Sequence, residues 1–488
     1  MKDTDPDAKL VIPQPLNLIG NAWVPARSGR VMEVLSPIDG LPFAQIADSD
    51  AADIDAAIAA ARAAFDGGEW SRLTAAERGR LMIRLSERIL ENIEPLAQLE
   101  RRDNGKPIVQ ARTDMKVTAR YFEFYGGGAD KVHGEIVPFL NGYNVEVHRE
   151  PYGVTGHIIP WNYPAQMFGR SVAPALAMGN ATVLKPAEDA CLSALRIAEL
   201  ALDVGFPPGA INIVTGRGAV AGQALADHRG IDFISFTGSP EVGVIVQTAA
   251  AKNFIGCTLE LGGKSPQIVF DDADLDAAMP VLVNAVIQNA GQTCSAGTRV
   301  LLQRGIYDRA VTELTARFSA IAASESGEAA VLGPLISAKQ KKRVETYIAE
   351  ADAPLMARGS IDPKAPKGGY YVAPAVFGPC DPKARIAQEE VFGPVLCLIP
   401  FEDEAEAISI ANATEYGLVA AVWTKDGGRQ QRVAKAMRCG QVFINGYGAG
   451  GGVELPFGGI RKSGHGREKG FAALLEFSRI KTIINNHG

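Results

Sequence analysis

Between Gly153 and Gly263, short apolar β-prone runs at 156–159, 181–184, 211–214, 233–236 and 258–261 recur every 22 to 30 residues. Helix-like stretches at 167–179, 191–204, 218–228 and 239–252 lie between them. Parallel strands need a crossover of a dozen or more residues, and this spacing leaves room for one helix each time. The expected fold is therefore α/β, built on a doubly wound parallel sheet. Ligands of such sheets sit beyond the carboxyl ends of the strands. Here those ends read His157-Ile158-Ile159-Pro160-Trp161-Asn162, Leu184-Lys185-Pro186, Ile213-Val214-Thr215-Gly216, Phe236-Thr237-Gly238-Ser239 and Leu259-Glu260-Leu261-Gly262-Gly263. Nearly every one carries a polar or Gly-rich element.

The chain has 488 residues, beyond the ~250–300 at which a single core stops growing, so at least two domains are expected. After 264 a second mixed α/β region runs to roughly 460, with a helix-like 274–290, a strand 298–303, a helix 307–323 and strands near 395–401 and 440–444. The first third is helical where it is regular. One helix is expected from Asp50 to Phe65, and a longer amphipathic pattern from Thr74 to Arg102 opens with Thr74-x-x-Glu77, which fits a capping box. Between Gly134 and Arg149 the pattern alternates (Val137, Phe139, Tyr143, Val145, Val147), which reads as a short hairpin. The β-prone run Ile480 to Asn485 is a candidate partner for it, within one subunit or between two.

A net charge of −6, a pI near 5.7 and no basic cluster denser than Lys341 to Arg343 leave no electrostatic footprint for nucleic acid. The opening Met1-Lys2-Asp3-Thr4-Asp5-Pro6-Asp7 has no apolar signal-peptide core, and no run reaches the ~18 apolar residues of a membrane span. The expectation is a cytoplasmic protein with no membrane partner. Cysteines 191, 257, 294, 380, 397 and 439 never form a Cys-x-x-Cys pair, so reduced thiols are expected. The six histidines are dispersed, and no catalytic metal is expected.

Two phosphate-loop look-alikes need weighing. Gly262-Gly263-Lys264-Ser265 resembles the end of a P-loop, but Thr258 stands where the leading glycine would be. Gly216-x-Gly218-x-x-Ala221 follows a strand and opens a helix, although Asp232 lies closer than the usual ~20 residues; it is either a cofactor contact or tight strand-to-helix packing. In Gly238-Ser239-Pro240-Glu241, Ser239 can cap a helix whose first position suits Pro240, which leaves either an anion site or ordinary capping. Cys294 sits in Gly291-Gln292-Thr293-Cys294-Ser295-Ala296-Gly297, a small and polar setting where a core cysteine would have apolar neighbours. A thiolate nucleophile also needs a base and an oxyanion donor, and Glu260 and Asn162 both stand at strand ends facing the expected crevice.

Seven motifs then occur in one order: Pro160-Trp161-Asn162-Tyr163-Pro164, Leu184-Lys185-Pro186-Ala187-Glu188, Phe236 to Ser239, Glu260 to Pro266, Gly291 to Arg299, Glu389-Glu390-Val391-Phe392-Gly393-Pro394, and Pro456-Phe457-Gly458-Gly459 with Gly464-x-Gly466-Arg467-Glu468. In this the chain resembles the NAD(P)-dependent aldehyde dehydrogenase superfamily, in its hydrolytic, non-acylating branch, from about Leu18 to Ile484. The resemblance implies Cys294 as nucleophile, Asn162 as oxyanion donor, Glu260 as the base that activates water, and Glu468 as a proton relay. It implies NAD as cofactor, with Lys185 and Glu188 on the adenosine ribose and Gly218, Gly222 and Ser239 around the diphosphate. Glu390 and Phe392 would meet the nicotinamide end, and Ile159, Pro160, Trp161, Phe236, Gly238, Val242, Leu261 and Gln340 would complete the site. A carboxylate at Glu188 would repel a 2′-phosphate, which favours NAD over NADP. The bland reading of Lys185 and Glu188 is a solvated pair at a strand end. The implied organisation is an NAD-binding domain over 1–130 and 152–262, a catalytic domain over 263–465, and an oligomerisation flap from 131–151 and 470–488, in a homodimer or homotetramer.

The substrate reading is open at this level. Arg170, eight residues after Asn162, falls where the succinate-semialdehyde group carries an arginine for a distal carboxylate. That group's second arginine is here Gln288, and Gly448 to Gly452 is unlike its Ser-containing loop. Tyr163, Phe168, Tyr447 and Phe457 could instead line an apolar pocket, with Arg170 turned to an internal carboxylate. A coenzyme-A-dependent acylating enzyme would not need Glu260, and a non-catalytic NAD-binding protein would not need Cys294, Asn162 and Glu260 together.

Overall fold

A computed structural model of the chain describes residues 10–325, 327–448 and 452–488. The acidic opening Met1 to Asp7 and most of Gly448 to Gly452 lie outside these. Five parallel strands form the middle of an eight-stranded sheet, in the order Ile211–Ile213, Ala181–Pro186, Val154–Ile159, Phe233–Thr237, Gly256–Glu260. Successive crossovers thus run outward from the central Val154–Ile159 strand in one direction, then return to build the other side. That reversal puts the topological switch point between Val154–Ile159 and Phe233–Thr237, where Ile158 pairs with Phe236. A crevice is expected beyond that point.

Antiparallel edges close this sheet. Asn17–Ile19 joins one side, and Gly464–His465 returns from far along the chain to pair with Gly256–Glu260, Gly464 opposite Glu260. A second sheet of seven strands, with Pro266–Val269, Arg299–Gln303, Val395–Phe401 and Val419–Trp423 at its centre, has its own core around Phe270, Leu301 and Phe401. The chain crosses from one sheet to the other between Glu260 and Pro266, so this link floors the crevice.

Local chemistry accounts for the helix ends. The Thr74–Glu77 capping box forms as the sequence predicts, with Glu77 N–H donating to Thr74 Oγ1 at 3.3 Å and Thr74 N–H to Glu77 at 2.8 Å. The amphipathic pattern from Thr74 to Arg102 folds as two helices, Ala75–Glu91 and Ile93–Asn104. Pro95 has no N–H to give the carbonyl four residues back, so the first helix stops at Glu91 and the second starts with the proline in its first turn. The 218–228 stretch opens as a π-helical turn over Gly218–Gly222 before Gln223–Asp227. Asp232 lies at the opposite end of the strands from the crevice, where it pairs with Arg62 and accepts the Val154 N–H at 2.8 Å.

The 134–149 hairpin is present as Glu135–Ile136 against Tyr143–Pro151. Its second strand pairs along its whole length, within the same chain, with Ser478–Asn486.

Gly464 has φ +100, and a Cβ there would run into the Leu259 carbonyl. Gly464→Ala should therefore cost about 3 kcal/mol or more of stability, since both the backbone conformation and the strand contact are lost. Denaturant unfolding reads this directly, and a cost below about 1 kcal/mol would mean that the returning strand does not depend on this approach.

Candidate active site

A crevice of about 470 Å³ opens beyond the switch point, a size that suits a small-molecule ligand. Of the residues singled out from the sequence, Pro160, Trp161, Asn162, Gly238, Ser239, Glu260, Leu261, Cys294, Gln340, Glu390 and Phe392 line it. Residues not singled out line it too, among them Met167, Lys339, Arg343 and Tyr416. Lys339, Gln340 and Arg343 share one face of the Ala338–Ala349 helix, a helical spacing that the sequence displays but that only the fold aims inward.

The turn carrying Asn162 is fixed through its backbone. Its carbonyl accepts from Lys106 Nζ at 3.1 Å and Asn289 Nδ2 at 2.8 Å. Lys106 is wholly buried between the carboxylates of Glu100 and Asp114, which more than offset the cost of burial and keep it charged. The Asn162 amide itself donates to the Gln292 carbonyl at 2.9 Å, two residues before Cys294. Sequence reasoning missed Lys106 and Asn289, since neither stands in a motif that names a chemistry.

Cys294 is half-buried on a tightly wound loop. Asn289, Ala290 and Gly291 have φ of 48°, 55° and 74°, three left-handed residues in succession. The glycine adopts this freely, but the other two store strain that neighbouring contacts must hold. Asn289 N–H donates to Gln110 at 3.0 Å, and the Gln292 side chain ties back to the Asn289 carbonyl at 3.1 Å and accepts the Ile336 N–H at 2.9 Å. The glutamine two residues before Cys294 thus holds the loop. On its other side the Cys294 carbonyl lies where a Cβ on Gly263 would be. Burial pushes the Cys294 thiol up to about 12, with Arg170 opposing and Glu260 adding to the shift.

Glu260 is buried, and burial holds its carboxyl well above the usual range, with Arg170 opposing and Glu468 reinforcing. Arg170 Nη2 stands 3.1 Å from Glu260, and Nε faces Glu468, which also accepts from Ser235 at 3.2 Å. Arg170 therefore turns to internal carboxylates and is 4% exposed. Of the other expected substrate residues, Phe168 lies on the far face of its helix, its ring 5.8 Å from Phe122 in the first core, and Met167 takes its place on the crevice. This corrects the reading of Phe168 as a pocket wall. Tyr163 is buried with its hydroxyl 2.8 Å from Thr293, and Phe457 packs with Leu418, Val419 and Cys294 beneath the Arg170 guanidinium.

A second group lies at the neighbouring strand ends. Lys185 pairs with Glu188 at 2.7 Å, and Glu188 accepts the Gly218 N–H at 3.0 Å, which hold that carboxyl below its usual range against the opposing effect of burial. Gly222 adjoins the Lys185 stem, and Ile159 and Phe236 are buried strand residues behind the crevice. Ser239 caps the Pro240–Asn253 helix by accepting from Val242 N–H at 3.4 Å, and Val242 itself is exposed. Glu390 takes the Gly263 N–H at 2.9 Å, and burial raises it to about 7. Gln340 donates to the Phe392 carbonyl at 2.8 Å, and Phe392 meets Trp161 edge to face at 5.5 Å. Carboxylates for ribose hydroxyls, an open helix N-terminus for phosphate and an aromatic mouth together fit a dinucleotide. Among the described residues no cluster could hold a metal ion, and no helix is long and apolar enough to cross a membrane.

The aldehyde dehydrogenase family model matches residues 23–483. The chain belongs to the aldehyde dehydrogenase family. It is 42% identical over 473 residues to human retinal dehydrogenase 2, across 95% of this chain and 90% of that protein. It is 40% identical over 474 residues to betaine aldehyde dehydrogenase of Bacillus subtilis, across 96% of each. A crystal structure from Burkholderia cenocepacia, provisionally named an aldehyde dehydrogenase, matches with a TM-score of 0.95 at 56% identity, over 97% of this chain and 100% of that one. This protein is an NAD-dependent aldehyde dehydrogenase.

Because the thiol is pushed up, iodoacetamide should inactivate the free dehydrogenase slowly at neutral pH. The rate should rise about tenfold per pH unit from about pH 7 to about pH 10, as the reactive thiolate is uncovered. A plateau below about pH 9 would instead reveal a thiolate already formed in the resting site.

Proposed function

We propose that this dehydrogenase oxidises a neutral aldehyde to the carboxylic acid by covalent catalysis at Cys294, with water as second substrate. The observation that carries the reading is the convergence of Cys294, Asn162 and Glu260 on one crevice together with Glu390 and Phe392. Cys294, as thiolate, attacks the aldehyde carbonyl. The Asn162 amide, whose backbone is pinned by Lys106 and Asn289, turns to the oxyanion that develops, and its low-dielectric setting strengthens that hydrogen bond. Bound NAD supplies the hydride acceptor that leaves a thioester on Cys294. Glu260 takes one proton of an attacking water, the oxygen bonds to the thioester carbon, the C–S bond breaks, and the acid departs as the Cys294 thiolate is released. A carboxyl pushed up by burial is a better base for this step than one in water. Glu468, with Ser235, would pass that proton on.

In this reading Lys185 and Glu188 hold the adenosine ribose, Gly218, Gly222 and Ser239 the diphosphate, and Glu390 and Phe392 the nicotinamide end. Ile159, Pro160, Trp161, Phe236, Gly238, Val242, Leu261 and Gln340 shape the same surface. The first sheet would then carry the cofactor and the second the nucleophile. A base in the crevice favours water over coenzyme A as acceptor. Ile480, Ile483 and Ile484 are exposed along the Ser478–Asn486 strand, as are Phe139 and Leu140 near it, which supports a homo-oligomer that covers them.

Two experiments test the chemistry. Cys294→Ala should leave less than about one per cent of turnover, since no comparable route to hydride transfer survives without the adduct. Glu260→Gln should give a burst of NADH followed by a slow steady state, because only hydrolysis needs the base. Equal loss of burst and steady state would remove Glu260 from the hydrolytic step.

The neutral substrate follows from the charge balance around Arg170, whose cation is already shared by two carboxylates. Met167 lines the crevice, and the buried Phe457, Leu418 and Val419 form an apolar cluster against Cys294. Across a panel of equal-length aldehydes, kcat/KM should fall at least ~10-fold when an ω-methyl is replaced by an ω-carboxylate, an unpaired charge being costly to desolvate. Preference for the ω-carboxy aldehydes would overturn this and return Arg170 to substrate recognition.

A further inference from the structure

Arg170 reaches the site from the Pro164–Ala177 helix. Nη2 meets Glu260 at 3.1 Å, Nε meets Glu468, and the guanidinium carbon lies 4.4 Å from the centroid of the Phe457 ring. Yet these contacts are not aligned hydrogen bonds. Among the described residues no donor satisfies either oxygen of Glu260, and the Nε and Nη2 groups of Arg170 are likewise without an acceptor in line. Glu260 is thus held by charge while its lone pairs stay open to a water proton, which is the condition a general base needs.

We propose that Arg170 is a positioning residue that holds the Glu260 carboxylate for the hydrolytic step, and that Glu468 sets the strength of this hold by competing for the same guanidinium. The proposal rests on Glu260 acting on water. It assigns Arg170 to the reaction itself and removes it from the recognition of any particular aldehyde.

The groups that face Glu260 come from three segments. Arg170 approaches from its helix and Cys294 from the nucleophile loop. Arg467, Glu468 and Lys469 approach from the returning segment that follows Gly464. Arg467 is turned to the carbonyls of Gly459 and Gly466, at 3.1 and 2.6 Å. Lys469 Nζ lies 5.2 Å from the Phe457 centroid, and burial with Arg170 nearby brings it down to about 7. Tyr121 and Tyr125 sit behind Arg170 as buried phenols whose burial keeps them protonated. Arg170 is therefore the dominant opposing charge at Glu260, and Glu468 the dominant like charge. Removing the first should make Glu260 harder to ionise; removing the second should make it easier.

The test isolates hydrolysis. The enzyme is acetylated with an activated ester, freed of reagent, and the decay of the Cys294 adduct is followed by intact-mass spectrometry from about pH 5 to about pH 9. Cys294→Ala identifies the adduct by losing it. Arg170→Met should move the acid limb of the decay up by about one pH unit or more, and Arg170→Lys by less. Glu468→Gln should move the same limb down by about half a unit or more, whatever becomes of the plateau rate. Opposite shifts are not what a merely structural loss produces. An unshifted limb in Arg170→Met beside a slow Glu260→Gln would overturn the hold on Glu260 while leaving the base in place. Decay at the wild-type rate in Glu260→Gln would overturn the base, and this proposal with it. Should Arg170→Met not fold, Glu468→Gln keeps the guanidinium and decides alone: no downward shift overturns the proposal.

Discussion

One buried ammonium organises the reacting end of this dehydrogenase. Lys106 is sealed from solvent between Glu100 and Asp114, and its remaining hydrogen bond goes to the backbone carbonyl of Asn162. Burying an ammonium is favourable only when it is paired and hydrogen-bonded, so losing one of its partners would be strongly destabilising. Completeness gives rigidity. The same carbonyl accepts from Asn289 at the start of the left-handed stretch, so the Asn162 turn of the first sheet and the Cys294 loop of the second share one anchoring atom. Neither catalytic segment can shift without breaking a bond at that point. This junction ties segments carried by two separate sheets to one point.

Much of the first sheet was legible because its strands and crossovers are local patterns of the right length. The capping box at Thr74 and the Ser239 cap with Pro240 at the start of the Pro240–Asn253 helix were equally local. The break at Asn92 was less visible, since the apolar pattern runs through it and only Pro95 marks the interruption. Four strands of the second sheet went unread: Leu355–Arg358 at its edge, and Pro266–Val269, Ala375–Phe377 and Val419–Trp423 within it. The last three are short and buried on both faces, so they show no alternation to distinguish them from buried helix.

The site was legible where a motif names a chemistry and opaque where geometry alone decides. Cys294, Asn162 and Glu260 stood out, and the fold brings them to one crevice. Phe168 and Met167 are adjacent in the sequence and equally apolar, yet one packs on Phe122 and the other lines the crevice, because a helix turns about 100° per residue. Arg170 could have met a substrate carboxylate or an internal one. The answer lay with Glu468, almost three hundred residues further along, whose position depends on how the Gly464–His465 strand returns.

That return has a consequence for the order in which the protein can be made. Arg170 and Glu260 emerge during synthesis long before Gly464 and Glu468, and the edge of the Tyr143–Pro151 strand waits still longer for Ser478–Asn486. Until then the first sheet has an open side next to Glu260, and the three-stranded flap exposes an unpaired edge of nine residues. Open edges of that length invite pairing with other chains. The late segment therefore closes the active site and protects the nascent chain in a single event, which makes the interval before its emergence the period of greatest exposure to misassembly.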